Sequence, residues 1–398
     1  MFALLSMPAQ AADVTRVGLR EDVHGLLAGP DGGAYVQVSR RGDTDIVRAL
    51  PDGRVVRTPD VGDLVGGAVG ADGSAWYGTD PFRALRVDPA GTPRAVALTP
   101  TTGAVPALPL VGAPDGSIWS STVEHDQLAR IAPDGTLTYV PSRREACSDD
   151  WPDGYWMTRT ADGALWTADR CGGLTREGVQ FHVNPYPDGL VADAAGGVWF
   201  LRRGAVPATV AHAAADGQVA DTRLPRALGA PTDLASAPDG SAFIAFGRCT
   251  IARVGLDGAV RLIAAPIAAR ELAFDGTGAI WLANRARLAR GLEGRCRGAA
   301  PRVHVPRRVS FASLRRGIPI RVSGRARVTA GTTVNVPNAT FSPIPTERVL
   351  ARAGRVFARV AYADRRRIKR STTIFMTVGV TDDEGNERGH AFRVRVTR

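Results

Sequence analysis

Apolar and polar residues alternate with a period of two over short runs along most of this chain, and turn-forming residues separate the runs. Long stretches with a helical period are absent. The pattern predicts many short strands and an all-β protein. One motif recurs seven times: a turn of the Asp-Gly or Gly-Gly type followed closely by an aromatic residue. The copies are Asp31-Gly32 with Tyr35, Asp72-Gly73 with Trp76, Asp115-Gly116 with Trp119, and Asp162-Gly163 with Trp166. Gly196-Gly197 with Trp199, Asp239-Gly240 with Phe243, and Gly278 with Trp281 complete the set. The aromatic residues are 33 to 47 residues apart. Most copies carry a second turn further on, as at Asp52-Gly53, Asp134-Gly135 and Asp257-Gly258.

Asp-Gly suits a two-residue hairpin because both positions must tolerate positive φ. Each unit therefore reads strand, turn, aromatic strand, loop, strand, turn, strand. Four antiparallel strands in about 40 residues make one propeller blade. A lone blade cannot cover both faces of its sheet, so the recurring aromatic is expected to fill the space between neighbouring blades. Seven blades are expected. The seventh lacks an outermost strand, and Val14–Leu19 supplies a spare one at the start of the chain, so pairing the two would close the ring.

From about residue 301 the repeat stops and Trp disappears. Val303–Val305, Ile318–Ser323, Thr333–Val336, Arg355–Tyr362, Thr373–Val380 and Ala391–Val396 read as strands of a second, smaller domain. The expected organisation is a truncated signal segment over 1–11, a seven-bladed β-propeller over 12–299, and a basic Ig-like β-sandwich over 300–398. The segment Leu128-Ala-Arg-Ile-Ala-Pro-Asp-Gly-Thr-Leu-Thr-Tyr-Val140, with Ala113-Pro-Asp-Gly-Ser-Ile-Trp119 before it, resembles a blade of the virginiamycin B lyase-like propellers, relatives of the NHL and SMP-30 propellers. That resemblance spans about residues 14–297. The hairpin around 380–397 resembles the end of bacterial immunoglobulin-like (Ig-like) domains, and Val309–Ser323 resembles the opening of C-terminal domains on actinobacterial exported proteins.

Ala9-Gln10-Ala11 fits a signal-peptidase site and makes export the expected fate. No apolar run approaches the length of a transmembrane helix. Four cysteines without a C-x-x-C spacing then suggest two disulfides, Cys147 with Cys171 and Cys249 with Cys296. Charge divides with the domains. The chain has net charge +11, and residues 300–398 alone carry 21 basic and 6 acidic side chains. The densest run is Arg365-Arg366-Arg367-Ile368-Lys369-Arg370. It is either a solvated hairpin tip or a contact for an anionic surface such as cell-wall polymer. No aromatic interleaving points to nucleic acid.

No hydrolase elbow, metalloprotease or P-loop motif is present, and the six histidines are dispersed. Candidate ligand residues therefore come from the loops of the face opposite the Asp-Gly turns. They are Asp80, Arg83, Asp169, Arg170, Asp233, Arg248, Arg270, Glu271, Asn284 and Arg285. Glu124 and His125 are adjacent and are the candidates for acid–base work. The resemblance implies a lyase that opens a cyclic depsipeptide by elimination, with a histidine and metal-held glutamates. Its Trp-Phe-Thr-Glu strand ends are replaced here by Trp119-Ser-Ser-Thr, Trp199-Phe-Leu-Arg and Trp281-Leu-Ala-Asn. The preferred expectation is thus an exported, wall-associated recognition protein that binds a peptide, glycan or small ligand without a cofactor. The alternatives are a metal-dependent lyase or lactone hydrolase, for which magnesium would be the ion, and a scaffold for a protein partner. Clustered carboxylates at the channel mouth would favour the enzyme, and an arginine-lined mouth an anionic ligand.

Overall fold

The turns form as the dipeptides require. In the computed structural model, Gly32, Gly73, Gly116, Gly163, Gly196, Gly240 and Gly278 have φ between +78° and +88°, values that an L side chain rarely adopts. Each turn joins an innermost strand to the strand that carries the aromatic. The structure describes 15–19, 22–40, 43–80, 83–97, 106–113, 115–122, 127–141, 156–168, 173–183, 187–202, 205, 207–293, 296, 302–324, 326–334, 346–350, 352–358, 373–382 and 387–397. The chain divides into two compact units, Met1–Arg295 and Cys296–Arg398.

The described strands of the first unit form seven four-stranded antiparallel sheets. Their innermost strands are Asp22–Ala28, Val65–Val69, Pro106–Gly112, Trp156–Arg159, Pro187–Ala192, Asp233–Ser236 and Glu271–Phe274, which define blades 1 to 7. Successive innermost strands pack together, and the seventh packs on the first. Blade 7 takes its outermost strand from the chain start. Thr15–Gly18 pairs antiparallel with Arg287–Arg290, and the backbone N–H of Leu19 continues the contact to the Ala286 carbonyl at 2.9 Å.

A three-part clasp repeats around the ring. The aromatic residue stands directly across the ladder from a cation: Tyr35 from Arg48, Trp76 from Arg86, Trp119 from Arg130, Trp166 from Arg176, Phe243 from Arg253 and Trp281 from Arg290. That arginine reaches the aspartate at the hairpin turn of its own blade. Arg130 meets Asp115 at 2.8 Å, Arg176 meets Asp162 at 2.7 Å and Arg290 meets Asp275 at 2.9 Å; Arg48–Asp31, Arg86–Asp72 and Arg253–Asp239 pair likewise. The aromatic then reaches outward. The Tyr35 hydroxyl donates to the Gly73 carbonyl at 2.8 Å, and the indole N–H groups of Trp166 and Trp199 donate to Gly196 and Gly240 at 3.2 and 2.8 Å. Trp281 donates to Gly32 at 3.0 Å and so joins blade 7 to blade 1. The aromatic set thus packs between blades, as expected, and also hydrogen-bonds across the boundary. Trp119 differs: it donates to Ser117 of its own blade at 3.0 Å, and the Arg159 guanidinium of blade 4 lies 4.3 Å over its ring.

Two blades lack aspartate in the turn itself, at Ala195-Gly196 and Thr277-Gly278. The carboxylate comes from two positions earlier, Asp193 and Asp275, where it is buried. Asp193 accepts from the backbone N–H groups of Ala195 and Gly197 at 2.7 and 2.8 Å. Asp275 accepts from those of Thr277 and Ala279 at 2.9 and 3.1 Å. In blade 5 the arginine is also replaced, by His212, which stands opposite Trp199 with its ring nitrogen 2.5 Å from Asp193.

The second unit has two sheets around one core. Val303–His304, Ile318–Val322 and Gly354–Ala358 form a three-stranded sheet. Arg308–Ser310, Glu387–Thr397, Thr373–Thr381, Ala326–Val334 and Thr346–Leu350 lie side by side in that order in a five-stranded one. Ile318, Ile320, Val328, Ile374, Val378, Val380 and Val394 fill the space between. The sequence pattern placed a strand at Thr333–Val336; residues 335–336 lie outside the described residues, and Thr333 and Val334 end a strand that begins earlier, Ala326–Val334. Its buried positions Ala326, Val328 and Ala330 are mostly small, so its alternation is a weak hydrophobic signal. Arg308–Ser310 and Thr346–Leu350 are further strands that the pattern did not mark, the first only three residues long.

Cys249 and Cys296 are each disulfide-bonded. Cys147, Cys171, the segment 1–11 and the run Arg365–Arg370 lie outside the described residues. Among the described residues no helix is long and apolar enough to cross a membrane.

The clasp predicts an ordered set of urea midpoints. Asp275→Ala strips four partners from a buried site and should cost about 3–4 kcal/mol. Trp281→Phe removes the indole hydrogen bonds to the Gly32 carbonyl and to Asp275 and should cost about 2 kcal/mol beyond the packing change. Asp52→Ala, at an exposed second turn, should leave the midpoint in place. Equal midpoints for the Asp275 and Asp52 variants would contradict the assignment.

Candidate functional site

The innermost strand of each blade enters from the face opposite the Asp-Gly turns, so its first residues lie at that mouth of the central channel. Such a strand pairs with only one neighbour, and its other edge presents unpaired N–H groups. Two acidic side chains meet this need. The Glu271 carboxylate in blade 7 accepts from the Leu26 N–H in blade 1 at 2.6 Å. The Asp233 carboxylate in blade 6 accepts from the Leu272 N–H in blade 7 at 2.7 Å. Both acids occupy one rung. Asp233 stands opposite Ala245 and Glu271 opposite Ala283, each two residues past the blade's aromatic.

The same rung in blade 5 holds Asp188, opposite Leu201, and in blade 1 His24, opposite Gln37. Four successive blades, 5, 6, 7 and 1, thus carry Asp188, Asp233, Glu271 and His24 at one level. Blades 2 and 4 place Val65 and Trp156 there, opposite Gly78 and Ala168. Acids and a histidine in blades 5, 6, 7 and 1 thus stand at the level where blades 2 and 4 carry apolar residues. His24 is exposed and Asp188 half-buried. Neither was a sequence candidate, and the reason is a β-bulge. The strands of His24 and Asp188 each carry a register shift just after them, between His24 and Leu27 and between Asp188 and Val191. The extra residue puts them five positions before the turn's first residue, Gly29 or Asp193. Asp233 and Glu271 stand four before Ala237 and Asp275. A fixed spacing from the turn therefore misses the set. The signal in the sequence is the acid or histidine itself, read with that one-residue allowance.

Burial raises the Asp233 pKa from 3.8 to about 7; hydrogen bonds from Leu272 and Leu234 oppose this, and the negative charge of Glu271 adds to it. Asp233 therefore changes charge near neutral pH.

The other candidates are dispersed. Arg83 is exposed at the start of its strand. One Arg248 guanidinium nitrogen donates to the Ala227 carbonyl at 2.7 Å. The Arg270 carbonyl accepts from the Thr232 hydroxyl at 2.8 Å. Asn284 is buried, and its side-chain oxygen accepts from the N–H groups of Ala286 and Arg287, both at 3.0 Å, so it shapes the turn beneath the mouth. The Arg285 carbonyl accepts from Val23 at 3.1 Å, across the blade 7 to blade 1 junction. Glu124, His125, Asp169 and Arg170 lie outside the described residues, as does the Asp80 side chain. Of the sequence candidates, the structure brings together Asp233 and Glu271. Among the described residues no three His, Cys, Asp or Glu side chains converge as a metal site requires.

The raised pKa of Asp233 gives a signed pH dependence. The unfolded chain releases this proton above about pH 4 and the folded chain keeps it to about pH 7, so this group's contribution to stability falls across that window and then levels off. Asp233→Asn keeps an acceptor for Leu272 without the charge. Relative to the unmutated protein it should gain on the order of 2 kcal/mol between about pH 5 and pH 8. Thermal midpoints of both proteins at the two pH values test this, and a relative loss for the variant would refute it.

No family model matches the chain. A curated virginiamycin B lyase from Nocardia farcinica is 29% identical over 217 residues, covering 50% of this chain and 71% of that protein. Among solved structures, virginiamycin B lyase from Staphylococcus aureus superposes with a TM-score of 0.56 at 16% identity, over 70% of this chain and 98% of that one. A catalytically inactive variant of that enzyme with quinupristin gives 0.55 at 15% identity, again over 70% and 98%. At these identities the solved structures speak for the fold. With the curated relative, they make the first unit a virginiamycin B lyase-like β-propeller.

Proposed function

We propose that the channel mouth is a lyase-like site that opens an ester-linked cyclic peptide by elimination. The observation that carries this is the single rung of Asp188, Asp233, Glu271 and His24 in four adjacent blades, with Asp233 titrating near neutrality. At this rung the strands of blades 5, 6, 7 and 1 carry three carboxylates and a histidine and no arginine, which favours the enzymatic reading over simple recognition of an anion. Asp233 in its ionised form takes a proton from the carbon beside a carbonyl. The electron pair left behind forms a carbon–carbon double bond, the ester C–O bond breaks, and a carboxylate leaves; no water is consumed. Glu271, fixed by the Leu26 N–H, holds negative charge near Asp233 and tunes it. Val65 and Trp156, at the same level in blades 2 and 4, supply apolar surface for the peptide's side chains. The relatives' names point to the same substrate class.

The strand ends after Trp119, Trp199 and Trp281 lack the glutamate that the resemblance associates with magnesium, and the described residues offer no convergent ligand set. No step of the proposal uses a metal. The second unit reads as a basic tether to an anionic cell-wall polymer, supported by the 21 basic against 6 acidic side chains of residues 300–398. Disulfide-bonded Cys249 and Cys296 support an exported protein.

Mass spectrometry separates the outcomes. Incubation with a virginiamycin B-type depsipeptide should give a ring-opened product of unchanged mass, whereas hydrolysis would add one water. Asp233→Asn should slow the reaction by about 10²–10⁴-fold. A peptide left intact by the purified protein at every pH sinks the lyase reading; a product formed equally fast by the Asp233 variant removes that residue from the role.

A further inference from the structure

The outer face of the five-stranded sheet in the second unit is unevenly charged. At one corner, the exposed side chains of Arg393 and Arg395 project from the strand Glu387–Thr397. Arg395 stands beside Arg308 in the parallel pairing with Arg308–Ser310, and exposed Arg307 precedes it. None of these four side chains is ion-paired among the described residues. Arg393 faces Phe375 across the ladder, with its guanidinium 5.4 Å from the ring centroid. Phe375 keeps 38% of its surface exposed. An arginine stacked on a partly exposed aromatic ring, with further exposed arginines beside it, gives this corner the side-chain types that contact surfaces favour.

The spacing says what kind of partner fits. Arg393 and Arg395 are two residues apart on an extended strand, about 7 Å, and Arg308 lies about 5 Å across the ladder. The cations therefore stand in a row along one strand and beside it, which matches regularly spaced acid groups on an extended chain. A lipid surface would need no such register. The ring of Phe375 and the neighbouring hydroxyl residues Thr373 and Thr377 suit the faces and hydroxyls of sugars. We propose that this corner binds a linear anionic polysaccharide, its acid groups on Arg307, Arg308, Arg393 and Arg395 and a sugar ring on Phe375. The proposal rests on the tether reading and places it on a particular face.

The test uses the full chain and dextran sulfate, with uncharged dextran as control. Binding at low salt and release as salt rises are expected, because exposed charge contacts are screened. The combined Arg307→Gln, Arg308→Gln, Arg393→Gln and Arg395→Gln variant should bind about tenfold or more weakly, since charge-assisted contacts are lost. Phe375→Ala should weaken dextran sulfate by about threefold or more, yet leave inorganic polyphosphate, which has no sugar, unaffected. All the substituted positions are exposed, and circular dichroism confirms that each variant is folded. Undiminished binding by the fourfold variant, with loss instead on replacing Arg365, Arg366, Arg367 and Arg370, overturns the corner and leaves the tether standing. Absence of binding by the unmutated chain at low salt overturns both. Tighter binding to phosphatidylserine vesicles or to duplex DNA than to dextran sulfate overturns the polysaccharide.

Discussion

The propeller depends on one composite interaction, the cation held between a hairpin aspartate and a cross-strand aromatic. It solves two problems at once. The aspartate must satisfy the backbone N–H groups of a tight turn, and its charge must be met in a crowded space between blades. The arginine opposite the aromatic meets that charge, while the aromatic carries the contact into the next blade by packing and, at Tyr35, Trp166, Trp199 and Trp281, by a hydrogen bond to a glycine carbonyl. Blade 5 keeps the geometry with a histidine and a buried aspartate. Blade 7 keeps it with Asp275, which serves the turn, Arg290 and Trp281 together. The clasp tolerates exchange of its parts so long as an acid, a nitrogen-bearing side chain and a ring meet at one corner.

Fixing one end of each blade leaves the other end free for chemistry. The innermost strands have an unpaired edge toward the axis, and the mouth residues answer it by binding across to the next blade. Asp233 and Glu271 are therefore structural partners of backbone N–H groups, and Asp233 is also the described carboxylate whose burial moves its titration furthest toward neutrality. Their roles are compatible. A carboxylate held by one N–H retains acceptor capacity, and the burial that aligns Asp233 also moves its titration toward neutrality.

Reading the chain alone found the blades because each turn needs a residue that tolerates positive φ and each inter-blade space needs a large ring. The repeat of Asp-Gly and aromatic is the direct imprint of those two demands, and the spare strand Thr15–Gly18 was legible as the missing edge of blade 7. The site was legible only in part. Asp233 and Glu271 stood out as acids where blades begin, but His24 and Asp188 did not, because bulges shift them by one position against the turn. In the second unit the strand Ala326–Val334 was hidden by its small buried residues.

Local sequence, then, determined the elements: turn chemistry and period-two alternation act over a few residues, and composition separated a basic tail from a mildly acidic propeller. Tertiary structure decided which distant residues share a level. Whether Asp193 or a turn aspartate balances the cation, and whether His24 joins Asp188, Asp233 and Glu271, depends on ladder register and bulge position. Register is set by packing against neighbouring strands and blades, contacts between residues as distant in sequence as Thr15 and Arg290 or Leu26 and Glu271. No spacing along the chain encodes a distance that only the closed ring creates.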